Sequence, residues 1–202
     1  MSGIAAIVHL DGAAASAASL EGMTAAMLHR GPDGIRHGVF GAAALAHCML
    51  HTTTESLREH QPLEGEDGRF VLVVDGRTDD REDLKRALQR DGADLVNPSD
   101  AELILRGFQL WGEQCLGRMH GDFALVIWDR LRSSVFCARD RIGAKPFYYH
   151  SSADTLSIAS EPAALLTLPW VTQELNDDVL VEYAADEFFS VDETLWKGIK
   201  RL

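Results

Sequence analysis

Residues 4–10 form an apolar, β-prone run, interrupted only by His9 and closed by Asp11-Gly12. Such a run ended by a turn signal predicts a buried strand, which sets residue 2 at a strand's edge. The period then changes. Ser19 and Glu21 precede Met23, Ala26 and Met27 at helical spacing, predicting a helix that stops at His29-Arg30-Gly31-Pro32-Asp33-Gly34. Short strands are predicted over 35–40, 43–47 and 70–74. Helical patterns cover 81–90 and 101–111, the second capped by Ser99 or Asp100. Residues 123–128 are apolar throughout, as in a strand covered on both faces, and 135–138 would pair with them through a turn at 129–133. Further strands fit 147–150 and 155–159. Strands grouped with intervening helices, rather than strictly alternating with them, favour stacked sheets flanked by helices.

Composition narrows the partners more than the fold. A chain of 202 residues can bury one good-sized core and carry a tail. Its 46% hydrophobic content is ordinary, and no run approaches the roughly 20 apolar residues of a membrane span, so no membrane partner is expected. A net charge of −12 works against binding phosphate backbones, which argues against nucleic acid. No basic segment precedes an apolar stretch at the start, so it does not read as a signal peptide and the cytoplasm is the expected location. Cys48, Cys115 and Cys137 are odd in number and widely spaced, the pattern of reduced structural thiols rather than of disulfides or a zinc site.

Charge shifts near the end. Residues 174–196 hold eight carboxylates and no Lys or Arg, and Lys197, Lys200 and Arg201 follow at once. This divides the chain into a domain over 1–173 and an acidic segment over 174–202. The segment reads either as a solvated helix face around 177–185 or as a connector toward a further domain not in this chain.

Separate blocks carry a resemblance to a known family. They are Met1-Ser2-Gly3-Ile4-Ala5-Ala6-Ile7-Val8-His9-Leu10-Asp11-Gly12, His29-Arg30-Gly31-Pro32-Asp33, His60-Gln61-Pro62-Leu63, Asp100-Ala101-Glu102 and Gly121-Asp122-Phe123-Ala124. To these add the long Ala138-Arg139-Asp140-Arg141-Ile142-Gly143-Ala144-Lys145-Pro146-Phe147-Tyr148-Tyr149 and Ala159-Ser160-Glu161. In this order, and over nearly the whole chain, they resemble the class II glutamine amidotransferase domain of asparagine synthetases. The resemblance implies an α+β fold: a four-layer αββα sandwich of two antiparallel sheets between helices, like that of N-terminal nucleophile hydrolases.

The resemblance also implies a chemistry that this chain departs from. In the family, removal of Met1 exposes a cysteine at position 2, which attacks the glutamine carboxamide while its own α-amine acts as base. Here the residue is Ser2. A thiol with pKa near about 8.5 is partly ionised at neutral pH, whereas a serine hydroxyl depends wholly on a well-placed base. An arginine is expected where Met49 stands, to grip the substrate carboxylate bidentately, and methionine cannot do so. The family's Asn-Gly-Glu aligns with Asp75-Gly76-Arg77. That puts a carboxylate where an oxyanion-hole amide belongs, and a cation where an acid would receive the α-amine. Of the glutamine contacts Asp100 stays. Drift would rarely strike the nucleophile and three substrate contacts while sparing the surrounding blocks, so the expectation is that glutamine hydrolysis is lost. Arg77 is expected to pair with Asp75 or Asp100 and fill the vacated pocket.

His29, His47 and His60 are read as structural hydrogen-bond partners, since no metal-ligand spacing appears. Arg139, Asp140 and Lys145 are read as fixing a strand-to-loop turn or facing a neighbouring domain. No Gly-rich Walker loop and no Ser-Gly-Gly pyrophosphate loop is present, so no cofactor is expected in this chain. ATP and Mg belong to a synthetase domain expected as a partner in cis or in trans.

Members of the family without the cysteine include β-lactam synthetases and lasso peptide cyclases, which activate a carboxylate with ATP and let an amine of the same substrate attack it. The stretches 49–57, 75–81 and 136–140 resemble the lasso-cyclase branch most, implying a precursor peptide as a partner. Two alternatives stand beside this reading: an active serine-type N-terminal nucleophile amidohydrolase, and a glutamine-hydrolysing asparagine synthetase.

Overall fold

In the computed structural model, which describes residues 1–202, the first apolar run becomes β1 (Gly3–His9), buried on both faces. Alternation explains the double burial. Ile4, Ala6 and Val8 point one way and Ala5 and Ile7 the other, so the two sets enter different cores. β1 lies inside a six-stranded antiparallel sheet, between β3 (Ala43–Met49) and β9 (Thr155–Ala159). β2 (Gly34–Phe40) borders β3, and β8 (Tyr148–Ser151) followed by β10 (Lys200–Arg201) extends the sheet beyond β9. A second antiparallel sheet runs β4 (Leu63–Glu64), β5 (Phe70–Gly76), β6 (Phe123–Asp129) and β7 (Ser134–Arg139).

Three cores stack these layers. Between the sheets, Ile4, Leu45, Val71, Val73, Val126 and Ile158 interleave. Outside the larger sheet pack α1 (Ala17–Ala26) and α4 (Pro162–Leu165), through Leu20, Met23 and Leu165. Outside the smaller sheet pack α2 (Arg81–Arg90) and α3 (Asp100–Trp111), through Leu84, Leu88, Leu103 and Ile104. Each fully buried Leu or Ile contributes about 1.5–3 kcal/mol. The result is the four-layer αββα sandwich. No helix is long and apolar enough to cross a membrane.

Local signals acted mostly as read, with differences at the ends. Ser99 caps α3 in a full capping box with Glu102, whereas α1 begins at Ala17, earlier than its pattern suggests, and is capped by Ser16. The pairing of β6 with β7 is the expected one. β4, α4 and β10 are two to four residues long and carry no readable period.

The acidic segment forms α5 (Asp177–Ala185) and then turns back: Leu175 bridges Trp196, β10 pairs with β8, and Ile199 is fully buried against the helix side of the large sheet. Its lysines find their acids locally, Lys197 with Glu174 and Lys200 with Asp192 and Glu193, while Arg201 donates to the Val191 and Ser190 carbonyls.

Candidate functional site

The start of β1, the ends of β3 and β5 and the start of α3 meet around a cavity of about 440 Å³. Strand alternation dictates what lines it. Ala43 and Leu45 of β3 face the core between the sheets, so His47 and Met49 face the same way; Ser2 continues the face of Ile4, and Asp75 that of Val71 and Val73. The polar residues begin where the apolar layer between the sheets stops. Ser2, Met49, Asp75, Gly76, Arg77 and Asp100 all border this cavity, joined by His47, Glu59 and Lys145.

Ser2 is held at both ends. Its hydroxyl accepts from the Leu50 amide at 3.2 Å and lies 3.5 Å from the Leu50 carbonyl, to which it donates. The Ser2 carbonyl accepts from Arg30 Nη1 at 3.2 Å. Arg30 is itself braced by Glu161, which also takes a 2.8 Å hydrogen bond from His29. Burial pushes the Glu161 carboxyl up, but the hydrogen bonds from Arg30 and His29 outweigh it and hold the pKa below the usual value.

Asp75 is 3% exposed and ion-paired to Lys145, Nζ to Oδ1, at 2.8 Å. The loop after β7 aims that lysine. Asp140 accepts the backbone N–H groups of Ala144 at 2.8 Å and Lys145 at 3.0 Å, and the Asp140 carbonyl accepts from Gly143 at 3.0 Å. Burial raises the Asp140 carboxyl, yet backbone hydrogen bonds, chiefly from Lys145 and Ala144, bring it below its ordinary range. Asp140 therefore fixes the turn, as expected, but Lys145 points inward to the cavity rather than toward a neighbouring domain. The signal that could have found it is its charge: a buried carboxylate at Asp75 demands a cation, and Lys145 lies in one of the resembling blocks.

The expected pairing of Arg77 is overturned. Its guanidinium sits 3.3 Å from Asp79 and 3.3 Å from Asp122, with the side chain 62% exposed. The strand ends at Gly76, so the two-residue spacing from Asp75 no longer defines a shared face; the Arg77 amide instead donates to the Asp122 carbonyl. Asp75 and Asp100 also have other cations. Asp100 takes Arg81 and the Thr78 hydroxyl on one oxygen, Oδ1. Gly76 is needed for close approach, because a Cβ there would lie 2.7 Å from Phe123 Cβ and 3.0 Å from the Asp122 carbonyl oxygen. Glu59, which the sequence reading missed, accepts from Gln61 and from the Ala101 amide at the start of α3. Nothing in its local pattern marks it.

His47 also departs from its reading as a structural hydrogen-bond partner. It is 3% exposed, and neither ring nitrogen meets hydrogen-bond geometry with any protein group. Burial lowers its pKa to about 4, with the nearby Val74 carbonyl opposing that shift only in part, so the ring is neutral at pH 7. The three cysteines are free. Burial pushes Cys48 and Cys115 up to about 11 and Cys137 to about 12, as befits unreactive thiols.

A family model described as a glutamine amidotransferase domain matches residues 1–202. A Mycobacterium tuberculosis protein provisionally named as a glutamine-hydrolyzing asparagine synthetase is 34% identical over 94% of this chain and 32% of its own length. Glutamine-hydrolyzing asparagine synthetase 3 of Bacillus subtilis is 28% identical over 91% of this chain and 30% of its own. The chain thus spans about a third of the length of these curated relatives. Among solved structures, glutamine phosphoribosylpyrophosphate amidotransferase from B. subtilis, complexed with ADP and GMP, superposes with a TM-score of 0.66. It covers 82% of this chain and 43% of that one at 19% identity, a likeness of fold alone.

Proposed function

The chain belongs to the glutamine amidotransferase domain family, in the form found in asparagine synthetases, and from that premise we propose that it is a non-hydrolytic member serving an ATP-dependent, amide-bond-forming ligase. The lasso peptide cyclases are the branch it fits best. The observation that carries this reading is the buried Lys145–Asp75 ion pair, 2.8 Å long, on the cavity wall. Where the family places an amide donor for the oxyanion, a carboxylate can only accept, and it is held by a lysine. Losing one such donor costs about 2.7 to 4 kcal/mol of transition-state stabilisation. Met49 supplies no guanidinium for a substrate carboxylate, and Ser2 supplies no thiolate. A ligase whose substrate brings its own amine needs no ammonia, so such losses are tolerated.

In this reading ATP and Mg bind a synthetase domain in cis or in trans, a precursor peptide is its substrate, and the present domain braces it. A protein extended through that domain is expected to exchange pyrophosphate with ATP when given its peptide, with no requirement for glutamine. The 202 residues alone are expected neither to bind ATP nor to exchange pyrophosphate. Asp186→Asn with Glu187→Lys, which respects the left-handed backbone of Asp186 (φ 55°), should weaken the extended protein's activity more than this domain's stability. ATP-dependent chemistry by the 202 residues alone defeats the proposal.

A second reading has one observation in its favour: the cavity is still open and still reaches Ser2. A serine-type N-terminal nucleophile amidohydrolase of another amide would use it. That reading requires removal of Met1, so the intact mass of the purified chain discriminates. The third reading, a glutamine-hydrolysing asparagine synthetase, draws on the relatives' names but leaves Met49, Asp75 and Arg77 without a role.

A further inference from the structure

Two buried side chains on the cavity wall have hydrogen-bonding capacity that the protein does not use. Asp75 spends Oδ1 on Lys145, while Oδ2 is buried and has no protein partner. His47 has neither Nδ1 nor Nε2 in hydrogen-bond geometry with a protein group, though the Val74 carbonyl lies near the ring, and Nδ1 of half-buried His51 on the same wall is likewise unpartnered. Buried polar groups are partnered in the great majority of cases, so two such residues on one cavity mark a place where something else supplies the partners.

The unused chemistry is mainly acceptor. A carboxylate oxygen only accepts, and a neutral imidazole offers one accepting and one donating nitrogen. Asp100 adds a carboxylate whose two protein contacts both fall on Oδ1. Glu59, Asp75 and Asp100 line the cavity with Lys145, Arg77 and the N-terminal residue, and Arg77 is turned toward Asp79 and Asp122. Met49 leaves the wall without the guanidinium that the family uses to hold a carboxylate.

We propose that this cavity binds a small molecule bearing a primary ammonium and no carboxylate, held by Asp75 Oδ2 and the accepting nitrogen of His47. A primary ammonium has three donors and no acceptor, which complements these two acceptors. A carboxylate in the same place meets the like charge of Asp75 and finds no guanidinium at position 49. The proposal deepens the reading above and rests on it in one respect, that glutamine is not the ligand.

The test is a titration of the full 202-residue chain followed by the ring ¹⁵N resonances of His47, assigned by their loss in His47→Gln. The probes are n-butylammonium, n-butyramide, n-butyrate and glutamine. Saturable shifts of the His47 resonances with n-butylammonium are expected, with n-butyrate and glutamine silent and n-butyramide weaker. Asp75→Asn, which keeps the shape and removes the charge, should weaken n-butylammonium binding by about tenfold or more, the scale of one charge-assisted hydrogen bond. No saturable response to n-butylammonium, an equal response to n-butyramide or n-butyrate, or indifference to Asp75→Asn overturns the proposal. Saturable glutamine binding contradicts the premise that glutamine is not the ligand, and ammonia release from it defeats the non-hydrolytic reading itself, whereas a cavity silent to every probe overturns only this inference.

Discussion

Lys145→Met should be among the most damaging single substitutions at the cavity. The change keeps the length and apolar stem of the side chain and removes only the charge that faces Asp75. With Asp75 3% exposed and the lysine side chain 15% exposed, the carboxylate left behind is largely shielded from water, and the nearby guanidinium groups are engaged elsewhere. Arg77 is committed to Asp79 and Asp122, and Arg81 to Asp100. Breaking a buried pair from one side costs about 3 to 5 kcal/mol, chiefly as the penalty of the uncompensated charge. With a urea m-value near about 2 kcal/mol per molar, the midpoint should fall by about 1.5 to 2.5 M. The assay is urea unfolding at pH 7.5, followed by the fluorescence of the four tryptophans, of which Trp128 is buried. Lys145→Met with Asp75→Leu removes both charges and should recover most of the loss, since an apolar replacement of a buried pair is often neutral or better. The loss should persist in about 1 M salt, because buried pairs are screened little. A loss below about 1 kcal/mol, the range of an exposed pair, or strictly additive single mutants, would refute the reasoning.

Other expectations follow from the same geometry. Arg77→Ala should change stability by about 0 to 1 kcal/mol in the same urea assay, because its partners and its own side chain face water. Gly76→Ala should destabilise by about 1 to 3 kcal/mol, since the added methyl drives into Phe123 and the Asp122 backbone where β5 meets β6; a neutral result would show that the strand end yields. His47 sets a pH dependence. Its folded pKa, about 4, lies below the ordinary 6.5, so the unfolded chain binds the proton first and stability falls as pH drops from about 6.5 toward 4. By pH 4.5 the loss attributable to His47 is about 2.5 kcal/mol. It is read as the difference between wild type and His47→Gln, which cancels the contribution of His150, likewise lowered by burial. Parallel curves for the two proteins would contradict it.

The layers of the fold were legible because they rest on local period. β6 is apolar at nearly every position and is covered on both faces, and the helical pattern of 101–111 becomes α3, with Ser99, one of its two cap candidates, as the cap. What escaped rests on partners distant in the chain. Lys145 meets Asp75 across 70 residues, brought there by a turn that Asp140 organises. Arg77 was assigned to the wrong partners because face-sharing by twos holds only while the strand continues, and β5 ends one residue earlier. His47 was the readable case. It continues the inward face of Ala43 and Leu45, so alternation alone places it at the edge of the core, but the lack of a protein partner for its ring appears only when β5 is packed opposite.

Loss of glutamine hydrolysis is the central claim, and ammonia release from glutamine tests it most directly. Wild type and Ser2→Cys are compared, with intact mass used first to establish that residue 2 is the N-terminus in each. Restoring the thiol leaves Met49, the Lys145–Asp75 pair and Arg77 in place, so neither protein should release ammonia above the uncatalysed rate. Sustained turnover by either one would contradict it.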